Sequence, residues 1–193
     1  MSTFLDIQLD PALLARARQG EHAAREQLYT LLARPVYTLI RRLVVRPAVA
    51  EELLHDTFIE LFRKLEGYRA DGSFAGWVRS IAVSQALMHL RSPWHRRLLP
   101  GSADPDSAAD PGSAVDAQGD GSALERALNL LPPISRSIVW LHDVEGYTHG
   151  EIARQFGRTT SFSKSQLARA HEQLRALLDP QPDGLACTPL SRT

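Results

Sequence analysis

Cysteine is almost absent from this chain of 193 residues, because Cys187 near the end is the only one. A single thiol cannot form an internal disulfide, and Cys187 has no neighbouring side chains at the spacing of a metal site. The sequence therefore predicts no metal ligands and no cofactor. The lack of disulfides favours a reducing compartment, the cytoplasm.

Long hydrophobic runs are also missing. Arg, Glu or Asp interrupts the apolar stretches every few residues, and a membrane-spanning helix needs about 20 apolar residues in succession. The opening residues, MSTFLDIQLDPALLARARQG, lack the basic segment followed by an apolar segment that is typical of an export signal. We therefore expect no membrane insertion and no export.

Sequence signatures of catalysis are lacking as well. The chain has no phosphate-binding glycine-rich loop, no HExxH and no GxSxG motif, and its histidines are scattered. Two histidines have carboxylates nearby, His142 with Asp143 and His149 with Glu151, and we interpret them as polar residues on helix surfaces. The sequence predicts no catalytic residues and a protein that is not an enzyme.

Charge of one sign is not in excess, since the formal net charge is zero. The distribution is nevertheless uneven: residues 79–97 contain four arginines and no carboxylate, and residues 154–175 contain five Lys or Arg and one Glu. Residues 98–121 contain five aspartates and no Lys or Arg. Two basic blocks joined by an acidic segment are compatible with binding to nucleic acid, although the net charge alone argues against it.

The acidic segment divides the chain. Residues 98–122 are rich in Gly, Pro, Ser, Ala and Asp and cannot bury enough apolar surface to fold, so they predict a flexible linker. We expect two small domains, residues 1–97 and 123–179, and a disordered tail at 180–193.

Both blocks have the apolar periodicity of helices, which predicts an all-α fold. In the first block, apolar residues recur every three or four positions from Leu53 to Leu65 and again from Phe74 to Leu90, with Ser73 as a candidate N-cap. Weaker patterns predict earlier helices at about Pro11–Leu32 and Pro35–Val45.

The second block has the start and stop signals of a helix-turn-helix unit. Thr148 and Glu151 have the spacing of a capping box, which predicts a short helix at about His149–Phe156 that ends at Gly157. A longer helix follows, capped by Thr159 or Thr160 and reaching about Leu178. Two helices precede this unit, at about Ala123–Leu131 and Ile134–Val144.

The last helix has two distinct faces. An apolar face, expected in the core, contains Leu167, Ala170, Leu174 and Leu177. The opposite face is polar and basic near the helix N-terminus, as readout of the DNA major groove requires. Its members are Thr160, Ser161, Lys164, Ser165 and Ala168.

The stretches 50–91 (AEELLHDTFIELFRKLEGYRADGSFAGWVRSIAVSQALMHLR) and 123–178 resemble the two domains of the ECF (extracytoplasmic-function) group of bacterial sigma factors. The resemblance implies a factor that binds core RNA polymerase and directs promoter recognition and transcription initiation. It implies promoter DNA as the second partner. It also allows control by an anti-sigma protein or by a regulatory kinase, for which Thr57 is a candidate target; the alternative is that Thr57 is a small core residue on the apolar face of its helix.

By the resemblance, the polymerase docks on Glu51, Glu52, Asp56 and Phe58. The residues agree, because like charges at the i, i+4, i+8 spacing of Glu52, Asp56 and Glu60 destabilise an isolated helix and would gain from a basic partner. The alternative is a solvated acidic face on which Lys64 neutralises Glu60.

The resemblance also places the promoter contacts. The residues implied to contact the downstream element and the melted strand are Tyr68, Arg69, Trp77, Arg79, Ser84 and Arg91, with Arg96 and Arg97 nearby. The residues implied to contact the upstream element are Thr160, Ser161, Lys164, Ser165 and Arg169. Phe74 and Trp77 lie on the apolar face of their helix, which favours a place in the core, so Tyr68 and Arg69 in the loop are the better candidates for contact. The family pattern is broken at Val83-Ser84, at Met88, at Val49 and at Ser161–Gln166, which puts the promoter sequence in doubt but not the fold.

Two other functions remain open at this point. A helix-turn-helix regulator would bind an operator without being a polymerase subunit, whereas a sigma factor binds core polymerase stoichiometrically. An adaptor protein with a vestigial helix-turn-helix would do neither.

Overall fold

The structure, a computed structural model, describes residues 7, 9–69, 72–92 and 122–179. Within these residues the regular structure is entirely helical, which confirms the predicted all-α class. The expected linker up to residue 121, the expected tail from 180, and Arg96 and Arg97 lie outside the described residues.

The first block folds around three long helices. Helices α2, α3 and α4 pack on one another, and α1 packs against α2. Leu28, Leu61 and Leu87, one from each long helix, are fully buried where the three meet. The elements are α1 (Pro11–Arg18), α2 (His22–Leu43), α3 (Pro47–Lys64), a 3₁₀ turn (Leu65–Gly67) and α4 (Phe74–Arg91).

The break between the first two helices lies at Gly20, not at Pro35 as expected. Gly20 has a φ of +89°, which favours glycine and ends α1. Pro35 lies inside α2, where its missing N–H and its ring disfavour a helix. The fully buried Leu32 and Val36 beside it show why the helix continues, since core packing on both sides offsets that penalty.

The second block packs around its last helix. Helices α5, α6 and α7 all contact α8, and Ser73 of the first block and Ser122 here cap their helices as side-chain acceptors. The elements are α5 (Ala123–Leu130), α6 (Pro133–Val139) continuing into a π-helical turn (Trp140–Val144), α7 (His149–Phe156) and α8 (Thr160–Leu178). The expected end at Val144 is therefore correct, but the last turn is wider than an α-helix.

The predicted capping box is confirmed. The Glu151 N–H donates to Thr148 Oγ1 at 3.2 Å, and the Thr148 N–H donates to Glu151 Oε2 at 2.8 Å. Gly157 has a φ of +62°, and the Thr159 hydroxyl caps α8 by accepting from the N–H of Phe162 at 3.3 Å. The short helix, the turn and the longer helix of the predicted helix-turn-helix unit are all present.

The two blocks contact each other. Helix α6 packs against α2 and helix α7 against α4, so buried apolar residues of both blocks form one cluster. The division into independently folding domains therefore stays a prediction.

None of the helices in the described residues combines the length and the apolar character that a membrane crossing requires. In the same residues, no group of three or more His, Cys, Asp or Glu side chains is arranged to hold a metal ion.

Candidate nucleic-acid interface and acidic helix

The predicted docking residues of helix α3 differ in exposure: three lie on the surface and one is buried. Glu51, Glu52 and Asp56 are exposed. Phe58 is only 4% exposed and packs against Tyr29, at 4.6 Å between ring centroids. The carboxylates therefore form the surface, and Phe58 supports the helix beneath them.

Glu60 does not extend this surface as a bare charge. Arg63 and Lys64 each approach its carboxylate to 2.7 Å. Hydrogen bonds from Arg63 and then Lys64 lower the pKa of Glu60 to about 2. The alternative of an internally neutralised face thus holds for Glu60, whereas the exposed carboxylates lie closer to the helix N-terminus.

Thr57 is a core residue. Its side chain is fully buried, and its hydroxyl donates to the carbonyl of Leu53 at 2.6 Å. A kinase cannot reach this hydroxyl in the folded chain, so the burial argues against Thr57 as a modification site.

Three aromatic rings close the loop before α4. The Tyr68 ring lies 5.2 Å from Phe74, nearly edge-on, and 4.9 Å from Trp77. Tyr68 is 8% exposed, and its hydroxyl donates to the carbonyl of Gly72 at 2.7 Å. Trp77 is half-buried and Arg69 is exposed, so Arg69 is the predicted loop contact that faces solvent here, while Tyr68 could stack on a base only if the ring cluster opened.

The predicted DNA contacts on α4 do not share one environment. Ser84 and Arg91 are exposed, but Arg79 is turned toward the second block. Arg79 Nη1 donates to the carbonyl of Glu145 at 3.2 Å, and its guanidinium lies over the ring of Tyr147 at 5.0 Å. Sequence reasoning did not single out Glu145 or Tyr147, since no local pattern connects them with Arg79.

The predicted reading face of α8 is on the surface. Leu167, Ala170 and Leu174 on the other side are buried, as expected. Leu177 was expected in the core but is 43% exposed, because the last turn of α8 extends past its packing partners. The exposed residues of the reading face are Thr160, Ser161, Lys164, Ser165, Ala168 and Arg169.

Buried polar contacts fix the orientation of α8. Ser135 of α6 donates from its hydroxyl to Gln166 Oε1 at 3.0 Å. The hydroxyl of Ser163, which is fully buried, lies 3.1 Å from Nδ1 of His149 on α7. A satisfied buried polar pair holds one alignment of two helices more strictly than apolar contact does. These contacts therefore set how the reading face projects.

The histidines do more than cover helix surfaces. Asp143 lies 2.7 Å from Nδ1 of His142 and 2.7 Å from Nε2 of His171, and thereby connects the π-helical turn to α8. Burial raises the pKa of Asp143, but hydrogen bonds from the two imidazoles outweigh it, so the pKa is lowered. The His142 and His149 rings stack at 4.6 Å, and burial lowers the pKa of His149.

Comparison with known families matches both blocks. The Sigma-70 region 2 family covers residues 28–96, and the Sigma-70, region 4 family covers residues 122–174. These ranges include most of α2, all of α3 and α4, and the helix-turn-helix unit up to residue 174 of α8.

Individual relatives agree with the two matches. The chain is 33% identical to the RNA polymerase sigma factor CarQ of Myxococcus xanthus, over 86% of this chain and 95% of that protein. It is 30% identical to the ECF RNA polymerase sigma factor SigM of Mycobacterium tuberculosis strain H37Rv, over 88% of this chain and 84% of that protein.

Two solved structures share the fold at low sequence identity. The sigma factor RpoE in complex with the anti-sigma factor NepR from Bartonella quintana has a TM-score of 0.54 and 20% identity, over 81% of this chain and 98% of that chain. CnrH in complex with the cytosolic domain of CnrY has a TM-score of 0.52 and 20% identity, over 89% of this chain and 97% of that chain. With both sigma regions in order and relatives matched over nearly their whole length, the chain belongs to the ECF group of RNA polymerase sigma factors, non-enzymatic proteins that direct core polymerase to initiate transcription at promoters.

Proposed function

We propose that this sigma factor docks on core RNA polymerase through Glu51, Glu52 and Asp56 of α3. The observation that supports this is their joint exposure on a helix whose opposite side is buried in the first block. Like charges this close repel one another, so a basic partner surface would relieve the repulsion. Phe58 keeps α3 in place from within the core, so its contribution to docking is indirect.

Promoter contacts divide between the two blocks. Lys164 and Arg169 of α8 hold phosphates of the upstream element, while Thr160, Ser161 and Ser165 face base edges. Arg69, Ser84, Arg91 and Arg79 act on the downstream element and the melted strand. Support for the upstream assignment comes from the exposure of the whole polar face at the start of α8, directly after the Gly157 turn.

Reversing charge on α3 tests the docking surface. We expect Glu52→Lys with Asp56→Lys to abolish copurification with core polymerase, because the variant would present cations to a basic partner. Both side chains are exposed, so helical content and thermal unfolding should hardly change.

The control carries the same total charge change elsewhere. Glu26→Lys with Glu172→Lys alters two exposed carboxylates on α2 and α8. It should leave copurification with core polymerase near the wild-type level. If the α3 variant still copurifies like the wild type, the docking surface is elsewhere.

The fold relatives suggest how the activity is controlled. RpoE was solved with the anti-sigma factor NepR bound, and CnrH with the cytosolic domain of CnrY bound. We propose that this chain acts in the cytoplasm. We propose also that an anti-sigma protein keeps it inactive, rather than phosphorylation of the buried Thr57. Coexpression with a candidate anti-sigma protein, followed by size-exclusion chromatography, tests this: a stable equimolar complex that excludes polymerase is expected.

A further inference from the structure

Arg79 is held by the second block through three contacts. Its Nη1 donates to the carbonyl of Glu145 at 3.2 Å and lies 3.4 Å from the Glu145 carboxylate. The Tyr147 ring covers the guanidinium at 5.0 Å. The side chains of Arg79 and Glu145 are 21% and 5% exposed, so this pair is shielded from solvent.

A second set of contacts lies at the C-terminal end of α2. Arg136 Nη2 donates to the carbonyl of Leu43 at 3.1 Å, which satisfies a carbonyl that the helix leaves without a partner. Arg42 pairs with Glu125 at 2.8 Å and lies over the ring of Trp140 at 5.0 Å. At these two places charged and polar groups join the blocks, beside the apolar contacts that connect their cores.

A third approach involves the end of α4 and the helix-turn-helix unit. A Cβ added to Gly157, in the turn between α7 and α8, would lie 3.6 Å from Nη1 of Arg91. Two of the arginines assigned to the melted strand therefore face the second block, Arg79 in a shielded pair and Arg91 against the turn.

The interface also contains groups that are better satisfied in water. Arg79 Nε and Trp140 Nε1 are the two buried side-chain donors without a hydrogen-bond partner in the part of the chain that the structure describes. Arg136 is 4% exposed, and burial, with nearby Arg41, lowers its pKa to about 10. Unsatisfied donors and a buried cation each cost free energy that separation of the blocks would return.

From this arrangement we propose that the structure is a self-masked state, meaning that one block covers a DNA-binding residue of the other. The carboxylate and carbonyl of Glu145 contact the Arg79 guanidinium where a DNA phosphate would bind. The proposal rests on the assignment of Arg79 to DNA made above. The masking is one-sided, because the reading face of α8 stays exposed while Arg79 is covered. The free chain can therefore meet duplex DNA through α8, but Arg79 of α4 becomes available only when the blocks separate.

Because both blocks belong to one chain, even a weak contact between them can hold them together. Residues 92 and 122 are joined by the chain, so the two blocks meet at an effective concentration of the millimolar order even where the contact alone would be feeble. A DNA phosphate or a polymerase surface that binds one block more tightly when the blocks are separated then shifts the population toward the separated state.

The first measurement follows opening without DNA. In a Cys187→Ser background, Gln27→Cys on α2 and Asn129→Cys on α5 provide two exposed positions for spin labels. Glu145→Lys should lengthen and broaden the distance distribution, because Arg79 then faces a like charge. The matched control Glu172→Lys should leave the distribution as in the wild type, and the exchange Arg79→Glu with Glu145→Arg should restore the short distance.

The second measurement follows unmasking. Fluorescence anisotropy with a 12-nucleotide single-stranded oligothymidine should show about tenfold tighter binding for Glu145→Lys than for Glu26→Lys, the factor expected when one charge-assisted contact no longer competes. Glu26 is exposed on α2, away from the reading face of α8, and the two variants carry the same net charge, so general attraction to DNA cancels.

Two results would overturn the proposal, and they can be told apart. Identical distance distributions in the wild type, Glu145→Lys and the charge exchange would show that the blocks are not held by this pair, and would leave the DNA assignments standing. Opening in Glu145→Lys without tighter binding to the oligonucleotide would refute the masking, and with it the assignment of Arg79 to DNA.

Discussion

Replacing Arg136 by methionine should stabilise the folded chain, although it removes a hydrogen bond. The Arg136 side chain is 4% exposed, and its guanidinium donates to the carbonyl of Leu43 at 3.1 Å. The hydroxyl of Ser137 lies 3.4 Å from that carbonyl and 2.8 Å from the carbonyl of Pro133, to which it donates, so in Arg136→Met it can turn toward Leu43 only by giving up that bond. Methionine has a similar length and the flexibility to fill the space left by the arginine stem.

The magnitude follows from the pKa of Arg136. Burial first, and the nearby charge of Arg41 second, lower it from 12.5 to about 10. At about 1.4 kcal/mol per pKa unit, folding disfavours the charged form by roughly 3 kcal/mol. Because the folded-state pKa stays above neutrality, Arg136 is charged at pH 7 and the whole penalty applies there; it declines only as the pH rises above about 10. After allowance for the lost hydrogen bond, we expect Arg136→Met to gain about 1–3 kcal/mol.

Urea unfolding at pH 7.5, followed by circular dichroism, measures this gain. Arg175→Met on α8 is the control, because that side chain is exposed and its loss should change the free energy of unfolding by less than about 0.5 kcal/mol. If Arg136→Met loses about 1 kcal/mol or more while the control is unchanged, the hydrogen bond to Leu43 outweighs the burial of charge and the reasoning fails.

Three further outcomes follow from individual contacts. Lys164→Ala should weaken binding to all upstream sequences alike and reduce the salt slope by about one, whereas Ser165→Ala should change which sequence a selection assay recovers. Thr148→Ala removes the hydroxyl that accepts from the Glu151 N–H, keeps the backbone N–H that donates to Glu151 Oε2, and should cost about 1 kcal/mol in urea unfolding. Burial lowers the pKa of His89 and of His149, so folding is not penalised above about pH 6.5, where both imidazoles are neutral, and loses free energy as the pH falls below it. The thermal midpoint should therefore be lower at pH 5.5 than at pH 7.5. The difference should be smaller in the double variant His89→Gln with His149→Gln.

Features set by neighbouring residues could be predicted from the sequence. The Thr148–Glu151 box, the Gly157 stop and the two faces of α8 depend on spacings of three or four residues, and the structure has all of them. Such signals act within one helix turn, so no knowledge of the rest of the fold is needed.

Features set by distant residues could not. The contact between Arg79 and Glu145 joins positions 66 residues apart, and neither side chain has a local pattern that indicates the other. Pro35 was expected to separate two helices, yet packing of its buried neighbours overrides the local preference. Tyr68 was expected to face DNA from a loop, but its packing on Phe74 and Trp77 depends on where α4 lies.

The zero net charge and the proposed masking have a common physical basis. A chain with 22 cations and 22 anions can still bind DNA if some of its carboxylates are placed to be exchanged for phosphates. Glu145 is in that position, since it pairs with Arg79 and its side chain is 5% exposed, whereas Glu151 is committed to its helix cap. Moving Arg79 from a carboxylate to a phosphate replaces one anionic partner by another, so the guanidinium need not be stripped of water at that step. Arg136→Met, which favours the joined blocks by removing a buried charge, should accordingly weaken binding of the free chain to single-stranded DNA even though residue 136 lies away from Arg79. Stability and DNA binding would then change in opposite directions in one variant, which a purely structural role for the interface does not predict.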